Sequence, residues 1–194
     1  RRGWTGARPV AEPHPPAQVF DDLVGQQAAV DELSLAVAAS HGDPGVPGAA
    51  MTHAWLFTGP AGSGRSVAAR AFAAALQCPL RGCGHCSHCR TVMAHTHADV
   101  RAVVPEGLTI SVKEMRAVVQ LAARGPATGR YQIVLIEDAD RLTEGASNAL
   151  LKAVDSGTML ITATEQSIKG GVRINLDLLN AQQQLVTSQR DLAQ

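Results

Sequence analysis

Outside residues 78–89 the chain has no cysteine, and beyond Tyr131 it has no aromatic residue. It has no net charge either, since 17 Lys and Arg face 17 Asp and Glu. That balance leaves no electrostatic footprint of a protein that grips DNA or an anionic membrane surface by itself, although a local patch is compatible with it. No window approaches about eighteen consecutive apolar residues, which excludes a membrane-spanning helix. Nothing at the start of the chain resembles a signal peptide, and thiols spaced for metal point to a reducing compartment, so a cytoplasmic location is expected. What is present is ordinary for a globular protein: 194 residues, 45% hydrophobic and 18% charged, enough for one domain with a sizeable core. Residues 1–17 carry Pro9, Pro13, Pro15 and Pro16 with no apolar periodicity, and are expected to be a disordered leader.

The cysteines are the most specific signal. Cys83, Cys86 and Cys89 form two CxxC steps that share Cys86, and Cys78 lies just upstream. A tight knuckle of this spacing presents three thiolates to one ion while Cys78 closes the fourth corner of a tetrahedron, the preference of Zn²⁺. A redox CxxC pair is the competing reading of the same spacing. His85 and His88 are each able to stand in as ligands, but four cysteines already make a closed shell with no open position for catalysis. The metal is therefore expected to hold structure.

A short apolar run, residues 54–58, reads as a strand buried on both faces and leads into Gly59-Pro60-Ala61-Gly62-Ser63-Gly64-Arg65-Ser66. That is the phosphate-loop pattern with Arg65 where lysine stands in the motif. Glycines let backbone N–H groups curl around a phosphate, and the helix expected over 65–77 aims its positive end at the same place. Arginine changes the chemistry, because a planar forked guanidinium does not replace a compact ammonium between β- and γ-phosphates. Two readings stay open: residual nucleotide or phosphate binding, with Gly59, Gly62, Gly64, Arg65 and Ser66 as the loop, or a strand-to-helix turn that binds nothing. A second apolar run, 132–136, ends at Glu137 and Asp138. There a phosphate-loop ATPase carries a Mg²⁺-binding aspartate followed by a catalytic glutamate, whereas this chain has the two acids in reversed order. A solvated turn is the alternative for them.

Between these runs lie a strand expected over 100–104 and a helix opened by the capping box Ser111-Val112-Lys113-Glu114, with Val112, Met115, Val119 and Ala122 as its buried stripe and Gly125-Pro126 as its stop. Val30, Leu33 and Val37 mark a further amphipathic helix near the front, and Val67, Ala71 and Ala74 are expected to form the buried face of the helix after the phosphate loop. Alternating strands and helices imply a parallel three-layer α/β fold.

These residues together, residues 19–26 (VFDDLVGQ), residues 52–57 (THAWLF), the loop 59–66, the four-cysteine insert and residues 136–152 (IEDADRLTEGASNALLK), resemble the clamp-loader branch of AAA+ proteins, and within it the delta-prime subunits of bacterial DNA polymerase III. The resemblance covers about residues 18–154. It implies a non-hydrolysing scaffold subunit of a pentamer that opens a sliding clamp and loads it at primer ends. By the same resemblance the partners are the other clamp-loader subunits and the clamp, with primed DNA met only through the complex and no membrane contact for residues 1–154. Zinc is the implied cofactor and ATP an unlikely one; a weak phosphate-loop ATPase, with Arg65 serving as lysine, is the alternative. Such a subunit also donates an arginine finger in a Ser-Arg-Cys motif, which this sequence does not contain.

The resemblance is lost after Val154. Expected to be missing are the fourth strand of the AAA+ order 5-1-4-3-2, the fifth strand, the helical lid and the collar, so that the chain reads as a truncated α/β phosphate-loop domain with a zinc-binding insert and a helical tail over 155–194. Residues 171–181, with Leu185 and Leu192, resemble TolC-type outer-membrane efflux channels, which makes a fragment of such a channel a further reading of the tail and the whole chain an apparent chimera. Leu178, Leu185 and Leu192 with Ala181 and Ser188 give a short heptad seam, equally compatible with an ordinary amphipathic helix. Residues 158–164 have strand composition and the length to fill the place of the fourth strand, but the channel resemblance favours a helix running on from Glu144, a break at Gly170-Gly171 and a second helix from about Ile174 to Gln194.

Overall fold

The computed structural model describes residues 18–105, 107–122, 124–155, 159–165 and 173–174. Helix α1 (Gln27–Ser40) precedes strand β1 (Ala54–Gly59) and helix α2 (Arg65–Gln77). A short helix α3 (Ser87–Met93) follows, then β2 (Val100–Val103), α4 (Val112–Ala122), β3 (Ile133–Ile136), α5 (Glu144–Asp155), β4 (Met159–Glu165) and β5 (Arg173–Ile174).

The strands form one sheet in the order β2-β3-β4-β1-β5. β2, β3, β4 and β1 run parallel to their neighbours, and the two-residue β5 pairs antiparallel to β1. Side chains alternate along the central strands as a pleat requires. Trp55, Phe57, Ile133 and Leu135 join one core with α1, α2 and α3, where Trp55 and Phe72 meet edge-to-face at 4.8 Å between ring centroids. Val134 and Ile136 join a second core with Ile110, Met115, Ala146 and Leu150, on the α4 and α5 side. Helices therefore cover both faces, as the alternation of elements implies.

One expectation is overturned here. Residues 159–165 are not helical: they form β4, which lies between β1 and β3 with Ile161 opposite both Trp55 and Leu135. The fourth strand is thus present; on the other side of β1 stands the two-residue antiparallel β5. The physical reason is backbone pairing: without β4, β1 and β3 would each leave a row of N–H and C=O groups unpaired inside the sheet, a cost no helical preference of a seven-residue segment offsets. Ile174, expected to begin a helix, is in β5. The expected leader 1–17 and the expected helix over 175–194 lie outside the described residues.

Local chemistry explains most boundaries. The capping box forms as read, with Ser111 N–H donating to Glu114 Oε2 at 2.7 Å and Glu114 N–H to Ser111 Oγ at 3.3 Å. Met115 and Val119 of its stripe pack into the second core. α2 departs from the expected amphipathic pattern: Val67 is exposed while Ala68 and Ala69 and every residue from Ala71 to Gln77 are buried. It is a central helix, enclosed by the sheet, α1 and α3, and its many alanines let those neighbours approach closely.

Candidate metal centre and phosphate loop

α2 ends where the cysteine cluster begins. Cys78 caps the C-terminus of α2, Cys86 is the N-cap of α3, Cys89 is in the first turn of α3, and Cys83 lies between. Arg81, Gly82 and Gly84 have φ of 60, 104 and 78°, the left-handed turns that fold this short connection back on itself. The four sulfurs lie within 4.8 Å of one another, and the four cysteines are the only group of this kind able to hold a metal ion among the described residues. Cys78 is 3.7 Å from both Cys83 and Cys86, sulfur to sulfur. A tetrahedron with Zn–S bonds of about 2.3 Å has edges of about 3.8 Å, which these two separations match.

The backbone around the sulfurs also fits thiolates. N–H groups of Leu80 and Cys83 point at Cys78 Sγ at 3.3 and 3.4 Å, and that of Cys89 at Cys86 Sγ at 3.4 Å. Burial pushes the Cys86 and Cys89 thiols up. Burial acts in the same sense on Cys83, but N–H groups of His85 and Cys86 and the neighbouring thiols outweigh it and bring that thiol down to about 6. The histidines are engaged elsewhere: His85 Nδ1 bonds the Cys83 carbonyl at 2.7 Å, and His88 Nδ1 lies 2.9 Å from His97 Nε2. Asp99 N–H donates to His97 Nδ1 at 3.0 Å, which places the His97 proton on Nε2, aimed at His88.

At the other end of α2, Gly62 and Gly64 take φ of 77 and 85°, and Gly64 is the N-cap of the helix. The loop therefore has the curled backbone read from its glycines. Arg65 does not extend from it: its Nη1 donates to the carbonyl of Gly59 at 2.8 Å, so the guanidinium closes the loop on itself. Glu137, one residue past β3, lies 3.4 Å from Arg70 of α2, and Asp138 takes a left-handed conformation and faces Arg141 at 3.6 Å. Each acid at the end of β3 thus meets a cation of this chain.

With this geometry in place the comparisons with known proteins become informative. The family described as DNA polymerase III, delta subunit, matches residues 46–168, well over half of the chain. The chain belongs to that family. Its match runs from before β1 through β4, so the family likeness does not stop at Val154 as expected. The chain is 30% identical over 122 residues to DNA polymerase III subunit delta' of Bacillus subtilis, covering 60% of this chain and 37% of that protein. It is 35% identical over 123 residues to subunit delta' of Pseudomonas aeruginosa, covering 59% and 38%. Subunit gamma of Buchnera aphidicola is 30% identical over 142 residues, covering 71% and 36%. The chain spans a little over a third of the length of these relatives.

Family membership leaves unmarked a polar network on the cysteine-bearing side of the sheet. Asp99, 1% exposed, accepts N–H groups of Ala127, Thr128 and Gly129 and the Thr128 hydroxyl. Burial alone would raise its carboxyl, but these four donors outweigh it and hold it down to about 2. Gln77, also 1% exposed, accepts from Arg130 N–H and Tyr131 N–H at 2.8 and 3.2 Å. Its amide lies where a Cβ on Gly129 would go, so a larger residue there must displace Gln77 from these bonds. In the sequence nothing distinguishes Asp99 from a surface acid; the only available hint at Gln77 is a polar residue at the end of an alanine-rich apolar helix. No helix among the described residues is long and apolar enough to cross a membrane.

Proposed function

We propose that this chain is the nucleotide-binding-fold portion of a delta-prime-type clamp-loader subunit that acts as a scaffold, with a structural zinc ion at Cys78, Cys83, Cys86 and Cys89 and no ATP turnover of its own. The observation that carries the scaffold reading is the bond from Arg65 to the Gly59 carbonyl, which turns the loop cation inward. The pairing of Glu137 with Arg70 supports it, because a carboxylate held by arginine is a poor ligand for Mg²⁺. The zinc reading is supported by the sulfur spacing and by N–H groups aimed at two of the sulfurs. Zinc supplies no chemistry to a reaction here. It would join the end of α2 to the start of α3, and Gly59, Gly62, Gly64, Arg65, Ser66, Glu137 and Asp138 form the vestige of a nucleotide site.

In this reading the chain works through contacts with other clamp-loader subunits and the sliding clamp, and meets primed DNA within the assembly. The division of the chain is part of the same proposal: a leader over 1–17, the clamp-loader domain from 18, and a tail of separate origin. Since the family match runs to residue 168, that tail begins no earlier than residue 169. Equilibrium binding with labelled ATP tests the central claim, together with mixing against the remaining clamp-loader subunits. Absence of saturable ATP binding with co-elution in the complex is the expected result; saturable binding with turnover stimulated by primed DNA would overturn the scaffold reading.

A further inference from the structure

The segment before α1 packs into the core on the α2 side and is bonded to the cysteine turn. Val19, Phe20 and Leu23 are 6%, 3% and 7% exposed and lie in the same apolar core as Cys78 and Cys89, with Cys83 and Cys86 packed against it. Val19 N–H donates to the carbonyl of Gly82 at 3.1 Å, and Gly82 lies between Cys78 and Cys83. A Cβ on Gly84, between Cys83 and Cys86, would stand 3.5 Å from the Gln18 Cβ, so the Gln18 side chain rests against the turn itself. Two further ties join the same connection to the end of α1: an ion pair between Arg81 and Asp43, and His41 Nε2 to the Cys78 carbonyl at 3.1 Å.

The connection that receives all of these has little internal structure. Three of its residues are left-handed, including the non-glycine Arg81, and the N–H groups of Leu80 and Cys83 are satisfied by the sulfur of Cys78. A connection of this kind keeps one shape only while its sulfurs are held together. We propose that the four-cysteine centre is a latch: metal bound there fixes the Gly82 carbonyl and the turn at Gly84, and thereby docks residues Gln18–Leu23 onto α2, so that metal binding and docking of this segment are one coupled equilibrium. This rests on the zinc reading above. Coupling is reciprocal, so whatever metal adds to docking, docking adds to metal affinity.

The test uses the full chain. Zinc content is measured first, and then amide exchange is compared between zinc-loaded protein and protein stripped with a chelator. On stripping, the amides of Val19, Asp21 and Leu23 should exchange at least about tenfold faster, while those of β1 and β3 keep their protection. The reciprocal arm uses Val19→Pro, which removes the donor to Gly82 and leaves every cysteine in place; zinc release to a colorimetric chelator should quicken about tenfold. Val24→Ala, at a site 87% exposed, should release zinc at the parent rate. If the chain binds no zinc, the zinc reading falls and the latch with it. If zinc binds but the segment is equally protected in both states, or Val19→Pro releases zinc at the parent rate, only the latch is overturned. Loss of β1 and β3 protection together with the segment would also overturn it, since the metal would then hold the whole fold.

Discussion

Arg70 and Glu137 face each other at 3.4 Å, joining the middle of α2 to the end of β3. The pair occupies the acid that a phosphate-loop ATPase would give to Mg²⁺, on the same helix whose first residue, Arg65, is bonded back to Gly59. Restoring the loop lysine alone therefore leaves the metal position blocked. Arg65→Lys should show no ATP turnover above background in a steady-state phosphate-release assay, with or without primed DNA. Arg70→Ala should change stability by no more than about 1 kcal/mol in urea unfolding, because a partly solvated ion pair contributes little. Turnover by Arg65→Lys would show that the reversed acids Glu137 and Asp138 are serviceable.

Asp99 carries a pH dependence whose sign follows from its depressed carboxyl. The group falls from an ordinary 3.8 to about 2 on folding, so its contribution is present above the ordinary value and is lost as pH drops from about 4 towards about 2. A shift of this size corresponds to about 2 kcal/mol. Asp99→Ala should cost about 2 kcal/mol at neutral pH, since it removes the one buried carboxylate that gathers the N–H groups of Ala127, Thr128 and Gly129. It should also flatten the acid limb of the stability profile measured by urea midpoints. An unchanged acid limb in the variant would assign that limb to other groups.

How much of this was legible beforehand depended on whether the deciding interaction was local. The capping box at Ser111 and Glu114, the glycine curl at Gly62 and Gly64, and the cysteine cluster are set by residues close in sequence, and each is found where the spacing puts it. β4 is the opposite case. Its composition suits a strand, but what decides it is the pair of edges on β1 and β3, contributed by segments far away in the chain. A likeness in the residues that follow pulled the expectation towards helix, and pairing overrode it. The Asp99 and Gln77 networks were invisible for the same reason, since their partners at 127–131 are loop backbone groups that no sequence pattern marks.

Metal removal separates ligand loss from turn strain. Cys86→Ser takes one sulfur from the proposed zinc shell and should lower zinc content to well below one ion per chain by metal analysis, with a fall in thermal midpoint. Gly84→Ala keeps all four sulfurs and finds ordinary contact with Gln18, but must take up φ near 78°. Its cost should be about 1–2 kcal/mol with zinc still bound. Equal zinc content in the two variants would remove Cys86 from the ligand set.

The last prediction concerns β4, whose backbone is bonded to β1 on one side and β3 on the other through parallel ladders. Its amides should be among the slowest to exchange, in step with those of Ile133–Ile136, because a strand enclosed on both edges opens only when the sheet does. Proline at its centre tests the same point by subtraction. Ile161→Pro lacks the N–H of a position paired with both Trp55 and Leu135, and a parallel central strand has no edge to which it can move. The variant should lose about 3 kcal/mol or more, or fail to fold cooperatively. The same change at Val24, exposed and outside every strand, should be mild. Rapid exchange at 160–164 while 133–136 stays protected would mean that the sheet closes without this segment, and would return residues 159–165 to the tail.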